Sequence, residues 1–342
     1  MTNASSTPQT ASLESRDFRI KLILAYTAVC LIWGSTYLGV RFAIETLPPL
    51  LMAGVRFTTA GIIMFIWAVL AKAEMPSWKQ IRSAGFVGLM LVTVCNGLFT
   101  LAMGRVPSSI GALAATSLPI WMVVLDWLRP NGIRPHKGVL LGVVIGFSGI
   151  ILLVQPWKVF LPNAVAASNE VHIDFLGLAM MFTGTVGWAV GSIFARHTSL
   201  PASSQMNTAV QLCIGGIVAL VWGAASGELS SVHPEQFSVK SLLAFVYLII
   251  FGSIVAFTAY SWLLRNVSAA LASSYTFVNP IVAMILAVTL GGEKVTALML
   301  LAMVVILCGV AIIARFRNRV VAPPTTNIAS TPFSEKLAQE SA

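Results

Sequence analysis

The sequence predicts an all-α membrane protein in which ten transmembrane helices form two inverted repeats of five helices each. The first observation is composition: 57% of the 342 residues are hydrophobic and only 10% are charged, with a mean hydropathy of +0.87. Soluble domains carry about 25% charged residues. The second observation is a succession of apolar runs of about 20 residues, which as helices cross a hydrocarbon layer of about 30 Å. The third is an internal repeat.

The apolar runs, taken in order, predict ten spans and leave a polar tail at each end. The domains are a disordered cytoplasmic N-terminal tail (1–21), a first repeat (22–156), an external linker (157–173), a second repeat (174–315) and a cytoplasmic C-terminal tail (316–342). The tails are polar and poor in core-forming residues, as in disordered segments. The predicted spans are 22–44, 50–71, 83–104, 108–128, 138–156, 174–195, 205–225, 241–263, 269–290 and 295–315.

The distribution of Lys and Arg predicts the orientation of the chain. With ten spans both termini lie on one side of the membrane. All 21 Lys and Arg residues fall on that side except Arg41, Arg56, Arg105, Lys158, Lys240 and Lys294. Acidic residues show no such bias, so the positive-inside rule places both termini in the cytoplasm. The net charge of +9 therefore reflects topology and does not indicate a nucleic-acid partner.

The internal repeat relates the first five spans to the last five. The matches are Trp33 with Trp188, Arg41 with Arg196, Arg56 with Gln211 and Gly61 with Gly216 at a shift of 155, Pro119 with Pro280 at 161, and Gly149 with Gly309 at 160. Because five is odd, the second half is inserted upside down relative to the first. Inverted repeats are typical of carriers, which bind substrate between two related halves near the bilayer midplane.

Several motifs resemble those of the ten-helix drug/metabolite transporter superfamily, in particular its EamA-type permeases. They are the opening Trp33-Gly-Ser-Thr-Tyr37, the Pro48-Pro49 turn, the two mid-span prolines and the Leu290-Gly-Gly-Glu293 end of the ninth span. The resemblance covers 22–315. It implies a secondary transporter of the bacterial inner membrane that moves a small organic metabolite by alternating access, with export of amino acids or related compounds as the expected activity. Where the family often closes its fourth span with Gly-Glu, this chain has Asp126-Trp-Leu-Arg129.

Repeat-related tryptophans and their polar neighbours are the first candidates for substrate binding. An indole in a central cavity could stack on a substrate or donate a hydrogen bond to it. Simple packing between helices is the alternative, since small residues also permit close helix contact. The candidates on the first and sixth spans are Trp33, Ser35, Thr36, Trp188 and Ser192.

Prolines in the fourth and ninth spans indicate interrupted helices. Pro119 and Pro280 each remove a backbone hydrogen bond and free a carbonyl group. Asn279 adds an amide that can donate and accept. With Tyr275 it makes the ninth span the most polar, although a purely structural kink remains the alternative. Asn96, Thr100 and Tyr260 complete the predicted substrate-binding set.

Arg56 and Glu45 are expected to belong to a gate at the outer side. A membrane-embedded arginine suggests a functional site, such as one for a substrate carboxylate. Arg56 could instead pair with Glu45 as a structural clamp. Arg41 and Glu45 have the i, i+4 spacing of a helix ion pair. Glu293 precedes the tenth span, whose dipole it would complement.

Other classes of function lack their expected residues. The four cysteines are isolated, and no metal-ligand cluster, phosphate loop or nucleophile motif is present, so no metal and no cofactor is expected. No span has a central carboxylate or histidine for a proton relay, and proton coupling stays open. A membrane-embedded enzyme acting on lipids and a passive channel are the alternatives to a carrier. The sequence does not distinguish a monomer from a homodimer.

Overall fold

The computed structural model describes residues 8–130, 132, 134–155, 174–266 and 275–317, and every regular element in them is helical. The predicted linker 157–173, Pro156 at the end of the predicted fifth span, residues 267–274, which include the start of the predicted ninth span at 269, and residues 1–7 and 318–342 of the predicted tails lie outside the described residues.

Within the described residues, ten apolar helices follow one another. Eight of them are long and apolar enough to cross a membrane, and the described parts of the fifth and ninth are shorter. In order, α1 is Pro8–Ala43, α2 Pro49–Leu70, α3 Trp78–Met103, α4 Ser108–Leu128, α5 Lys137–Val154, α6 Phe175–Arg196, α7 Ser204–Ala225, α8 covers 239–266, α9 Tyr275–Thr289 and α10 Ala297–Arg317. The prediction of a helical membrane protein is confirmed. Helix α1 includes residues 8–21, for which the sequence predicts a disordered tail.

Local capping signals set several helix starts. At the start of α3, the Ser77 hydroxyl accepts from the backbone of Gln80, whose side chain accepts from the backbone of Ser77. This capping box begins α3 at Trp78, five residues before the predicted span. Asp174, Ser203 and Ser238 cap α6, α7 and α8 in similar ways, because a side-chain oxygen satisfies an unpaired first-turn nitrogen.

Helix packing has the symmetry of the sequence repeat. Helix α2 packs on α7 and α5 on α10, while α1 packs on α8 and α9 as α6 packs on α3 and α4. Exchanging each helix with the one five places along the chain leaves this pattern unchanged. The backbone repeats as well: π-helical segments interrupt α3 at Leu89–Gly97 and α8 at Leu248–Val255.

Close contacts between α2 and α7 show that the two halves are inverted. A side chain at Gly54 would meet Leu220, whereas one at Gly61 would lie 2.6 Å from the backbone nitrogen of Cys213. Position numbers thus rise along one helix as they fall along the other, so the repeat-related helices are antiparallel. The small residues allow the two backbones to approach closely, as is common in membrane helix pairs.

Candidate functional site

A central cavity lies between the two repeats. Its volume is about 140 Å³, close to that of an engineered protein cavity that holds benzene. Aromatic and aliphatic side chains supply most of its wall, with a few polar groups among them. From the predicted set, Trp33, Thr36, Arg56, Asn96, Thr100, Trp188, Tyr275, Asn279 and Pro280 line it.

Trp33 of α1 is the centre of an aromatic cluster on one wall. Its ring lies 5.4 Å from that of Phe257, 5.1 Å from Tyr260 and 4.9 Å from Tyr275, measured between centroids. Its indole Nε1 donates to the backbone oxygen of Gly252 at 3.3 Å. These contacts fix the indole in one orientation at the cavity wall, where part of the ring remains available to a ligand.

The π-helical segment of α8 supplies that backbone oxygen and also holds Arg56. The Nε of Arg56 donates to the Ser253 hydroxyl at 3.0 Å, and the guanidinium lies against Gly252. Its Cζ is 4.5 Å from the centroid of the Phe57 ring. A π-helical turn widens the helix and is frequent at functional sites. Here the π-helical segment places the Gly252 carbonyl against Trp33 and the Ser253 hydroxyl against Arg56.

The opposite wall carries polar groups that are bonded to their own helices. The Asn96 amide donates to the backbone oxygen of Leu91 at 2.6 Å, inside the π-helical segment of α3. Thr100 donates to the backbone oxygen of Asn96 at 2.7 Å. Trp188 of α6 faces the same cavity as its repeat partner Trp33. Each repeat therefore contributes one tryptophan to one shared space.

Helix α9 contributes Tyr275, Asn279 and Pro280. With its amide oriented to satisfy both carbonyls, Asn279 donates to the backbone oxygens of Cys30, at 3.1 Å, and Tyr275, at 3.2 Å. The side chain thus ties α9 to α1 while it borders the cavity. Pro280 lies inside α9. Pro119 lies instead in the first turn of the second part of α4, Leu118–Leu128, after a break at Ser117.

Five residues of the predicted set lie outside the cavity wall. The Ser35 hydroxyl donates to the backbone oxygen of Ile32 and shares a hydrogen bond with the Tyr247 hydroxyl, so it faces α8. Tyr260 packs behind Trp33 and Tyr275. Ser192, Glu45 and Pro119 are also absent from the wall.

The proposed pairing of Arg56 with Glu45 is wrong. Glu45 bonds Lys240 at 2.6 Å, while Arg56 is 5% exposed and has no acidic partner among the described residues. The i, i+4 pair of Arg41 with Glu45 is not formed either, because Arg41 lies 3.8 Å from Glu293. Lys240 of α8 and Glu293 of the α9–α10 connection, both distant in sequence, thus replace the local ion pair.

Two carboxylates fasten connections of the second repeat onto helices of the first. We call the end of the bundle that holds α1's first residues the termini face and the opposite end the distal face. At the distal face, Glu293 accepts hydrogen bonds from the backbone and hydroxyl groups of Ser108 and Ser109, at 2.7 to 3.1 Å. Glu228 accepts from the backbone nitrogens of Leu50 and Leu51, at 3.1 and 2.9 Å. They cap α4 and α2, so Glu293 does not serve the tenth helix as predicted.

The electrostatics of this face favour ionised carboxylates. Burial raises the pKa of Glu293, but the hydrogen bonds from Ser108 and Ser109 outweigh it and leave the pKa below its usual value. The Arg105 guanidinium, 2.9 Å away, lowers the pKa of Asp174, and the backbone of Gly177 adds to the effect. The distal connections are therefore charged and linked to one another at neutral pH.

The packing around the cavity differs between the two faces. At the distal face, α1 packs against the last part of α3, Leu98–Met103, and the start of α4. The repeat relates these contacts to packing of α6 on α8 and α9 at the termini face. The segment that the repeat relates to the start of α4 lies in 267–274, outside the described residues, and the described parts of α8 and α9 make no packing of similar extent with α6.

The buried side chains show the same asymmetry. One distal cluster takes residues from every helix except α7 within the described ranges. Towards the termini face, buried side chains form separate clusters, one of α1, α8 and α9 and one of α2, α3 and α7, while a third cluster extends along α4, α5 and α10. Within the described residues, each of these clusters joins fewer helices than the distal one.

Two symmetric sequence matches accompany this architecture. The sequence profile of the EamA-like transporter family matches residues 20–155 and, a second time, 175–315. The chain belongs to the EamA-like transporter family. The resemblance inferred from sequence motifs is thus confirmed, and the chain is a multi-pass membrane transporter with one family unit in each half.

Relatives within this family support the same conclusion. The uncharacterized inner membrane transporter YedA of Escherichia coli (strain K12) is 35% identical over 295 residues, which cover 86% of this chain and 90% of YedA. The uncharacterized transporter YvbV of Bacillus subtilis (strain 168) is 25% identical over 297 residues, 86% of this chain and 91% of YvbV. One solved crystal structure, of a protein that is 19% identical in sequence, has the same fold. Its alignment with this chain covers 88% of this chain and 99% of that protein, with a TM-score of 0.56.

Sequence reasoning missed part of the cavity wall. The apolar members Phe57, Phe99, Met103 and Phe257 have no sequence signal that separates them from ordinary packing residues. The π-helical segments that place Gly252 and Ser253 beside Arg56 leave no signature in hydropathy. The carboxylate that caps α4 was also missed, because Glu293 lies 185 residues from Ser108 in sequence.

Proposed function

We propose that the protein is a secondary carrier that moves a small organic metabolite across the bacterial inner membrane by alternating access. The observation that carries the proposal is the unequal packing of the two faces around one cavity. An inverted repeat lets the halves exchange conformations, so the contacts seen at one face in one state form at the other face in the second state. The distal contacts described above support the interpretation that this arrangement is closed at the distal face, and the cavity would then open towards the termini face.

The Lys and Arg distribution supports an orientation for this state. By the positive-inside rule it favours cytoplasmic termini, and in that orientation the cavity would face the cytoplasm. That state is the one in which an exporter loads its substrate. Amino acids or related compounds are the substrates that the family resemblance favours.

Four side chains on both walls would hold the substrate: Trp33 and Trp188, one from each repeat, with Tyr275 and Asn279. Because the tryptophans are related by the repeat, each would keep a comparable position when the halves exchange conformations. Thr36, Asn96 and Thr100 would supply polar contacts. Ser35, Ser192 and Tyr260 would not contact the substrate in this state, because they lie outside the cavity wall.

Counterflow in proteoliposomes tests the carrier. Vesicles loaded with unlabelled leucine, or another member of an amino-acid panel, are diluted into a trace of the labelled compound. A carrier accumulates label transiently, and the rate saturates with concentration. A channel lets the label equilibrate without overshoot and without saturation, which would contradict the proposal. Imposing a pH gradient in the same vesicles tests for proton coupling.

A further inference from the structure

The buried guanidinium of Arg56 is the strongest chemical feature that the carrier proposal leaves unexplained. It lies seven residues inside α2, about 10 Å from the helix start at a rise of about 1.5 Å per residue. At 5% exposure it does not extend to the surface, as membrane arginines near helix ends commonly do. Its protein hydrogen bond is the one from Nε to Ser253, and Nη1 and Nη2 have no such partner among the described residues.

The charge on Arg56 is not balanced by the protein around it. It is the one charged residue among the described side chains that line the cavity. Among the described residues, every acidic residue after Asp17 lies at a helix end or in a connection, and Glu14 and Asp17 lie in the first part of α1, at the termini face. The nearby distal carboxylates are already engaged, Glu45 with Lys240 and Glu228 with the start of α2. A buried, unpaired charge is costly, so an ionisable residue inside a membrane span indicates a functional site.

Symmetry argues against a purely structural role. The repeat partner of Arg56 is Gln211, which donates to Asn207 at 2.9 Å and is not part of the cavity wall. The fold therefore requires neither a cation nor a cavity-lining side chain at the equivalent position of the second repeat. Arg56 is a feature of one wall only, as expected for a group that binds one end of an asymmetric molecule.

We propose that the carried substrate bears a carboxylate, which Arg56 binds with its free guanidinium nitrogens while the aromatic wall holds an apolar body. This inference rests on the proposed carrier and names its substrate class. A planar guanidinium matches a carboxylate with two parallel hydrogen bonds. One carboxylate neutralises the single cavity charge, whereas a phosphate dianion would leave an excess negative charge. The remaining wall, with Trp33, Phe57, Trp188 and Phe257, suits an apolar or aromatic group.

The test compares acids with their amides on the purified protein. The probes are isovalerate, leucine, isovaleramide and leucinamide, which share one branched body. They separate a simple carboxylic acid from an amino acid, and each acid from its uncharged or cationic amide. Binding is measured as the rise in thermal midpoint with probe concentration, since a ligand of the folded state stabilises it. We expect at least one acid to bind at least about tenfold more tightly than its amide.

Variants assign the discrimination to Arg56. Arg56→Gln should abolish the preference for acids. Arg56→Lys should retain part of that preference, because lysine keeps the positive charge but lacks the planar guanidinium that donates two parallel hydrogen bonds. Ser253→Ala leaves the charge in place and should weaken acid binding by less than Arg56→Gln. Arg82→Gln, which removes an exposed arginine at the termini face, is the matched control and should retain the preference.

Each result separates this proposal from the carrier itself. If amides bind as tightly as acids, if no acid binds, or if Arg56→Gln binds acids as Arg82→Gln does, the carboxylate assignment is wrong. Saturable counterflow of an amide that is unaffected by Arg56→Gln would preserve the carrier and overturn the carboxylate. Acid binding through Arg56 without counterflow of any probe would preserve the carboxylate site and overturn the carrier. The acid and amide comparison on the unmodified chain stands even if Arg56→Gln fails to fold.

Discussion

The carboxylate of Glu293 lies 2.7 Å from both the backbone nitrogen and the hydroxyl of Ser108. This contact joins the α9–α10 connection of one repeat to the first turn of α4 in the other. Ser109 provides the second half of the same cap. The side chain of Glu293 is 6% exposed, so its charge depends on these donors in place of water.

Removing that charge should destabilise the distal face. Glu293→Gln keeps the shape of the side chain but loses charge-assisted hydrogen bonds and the favourable interaction with the α4 dipole, a loss of about 1–2 kcal/mol in the free energy of unfolding. Thermal denaturation in detergent measures it. Glu235→Gln, at an exposed acid of the same face, is the control and should leave the midpoint unchanged. Equal midpoints for the two variants would contradict the role of the cap.

The contribution of Glu293 should also depend on pH in a defined direction. Its native pKa lies below the usual value of 4.5, so the unfolded chain takes up a proton first as the pH falls. The stabilisation is therefore fully present above about pH 4.5 and is lost as the pH falls through the native pKa. The difference in midpoint between wild type and Glu293→Gln should stay constant from about pH 7 to 5 and shrink below. A difference that already declines between about pH 7 and 6 would contradict this.

The contact of α2 with α7 should tolerate no added methyl group at Gly61. A Cβ there would lie 2.6 Å from the backbone nitrogen of Cys213, and neither backbone can yield without separating the helices. We expect Gly61→Ala to cost about 1–3 kcal/mol through overpacking. Gly104→Ala makes the same change where the nearest atom is 3.6 Å away, and it should be neutral. A Gly61→Ala protein with the wild-type thermal midpoint would disprove this packing.

Trp33 should be essential for transport and not for insertion. Trp33→Ala removes the bond to Gly252 and three ring contacts at the cavity wall, and we expect counterflow to fall at least about tenfold. Trp67→Ala truncates a tryptophan that is 41% exposed on the outer surface of α2 and should transport normally. If Trp33→Ala and Asn279→Ala insert and transport at the wild-type rate, the assigned substrate site is wrong.

The order of the helices can be predicted from the sequence because hydropathy is a property of each local segment. Their twofold arrangement can be predicted because the internal repeat is visible in the residue types. The starts of helices are less certain from hydropathy alone: α3 begins at Trp78 because Ser77 and Gln80 form a capping box in a polar stretch. The capping box can be recognised in the sequence, but a search for apolar runs misses it because its residues are polar.

The partners of charged residues could not be predicted, since they depend on which helix ends meet. Arg41 and Glu45 have the spacing of a local pair, yet they bond Glu293 and Lys240 instead. An exposed local pair is worth only about 0.2–0.5 kcal/mol, so tertiary contacts readily replace it. The same limit applies to Arg56, whose Ser253 partner is 197 residues away.

Alternating access itself is tested most directly by two distances measured in one protein. On a cysteine-free background, nitroxide labels at Glu45→Cys and Gly104→Cys report on the distal face, and labels at Ser199→Cys and Asn266→Cys on the termini face. These four positions are exposed. Pulsed electron resonance gives the distance distribution of each pair with and without saturating transported substrate. We predict a second population in which the distal distance is longer and the termini-face distance shorter. Distances that stay unchanged, or that lengthen together at both faces, would contradict the carrier.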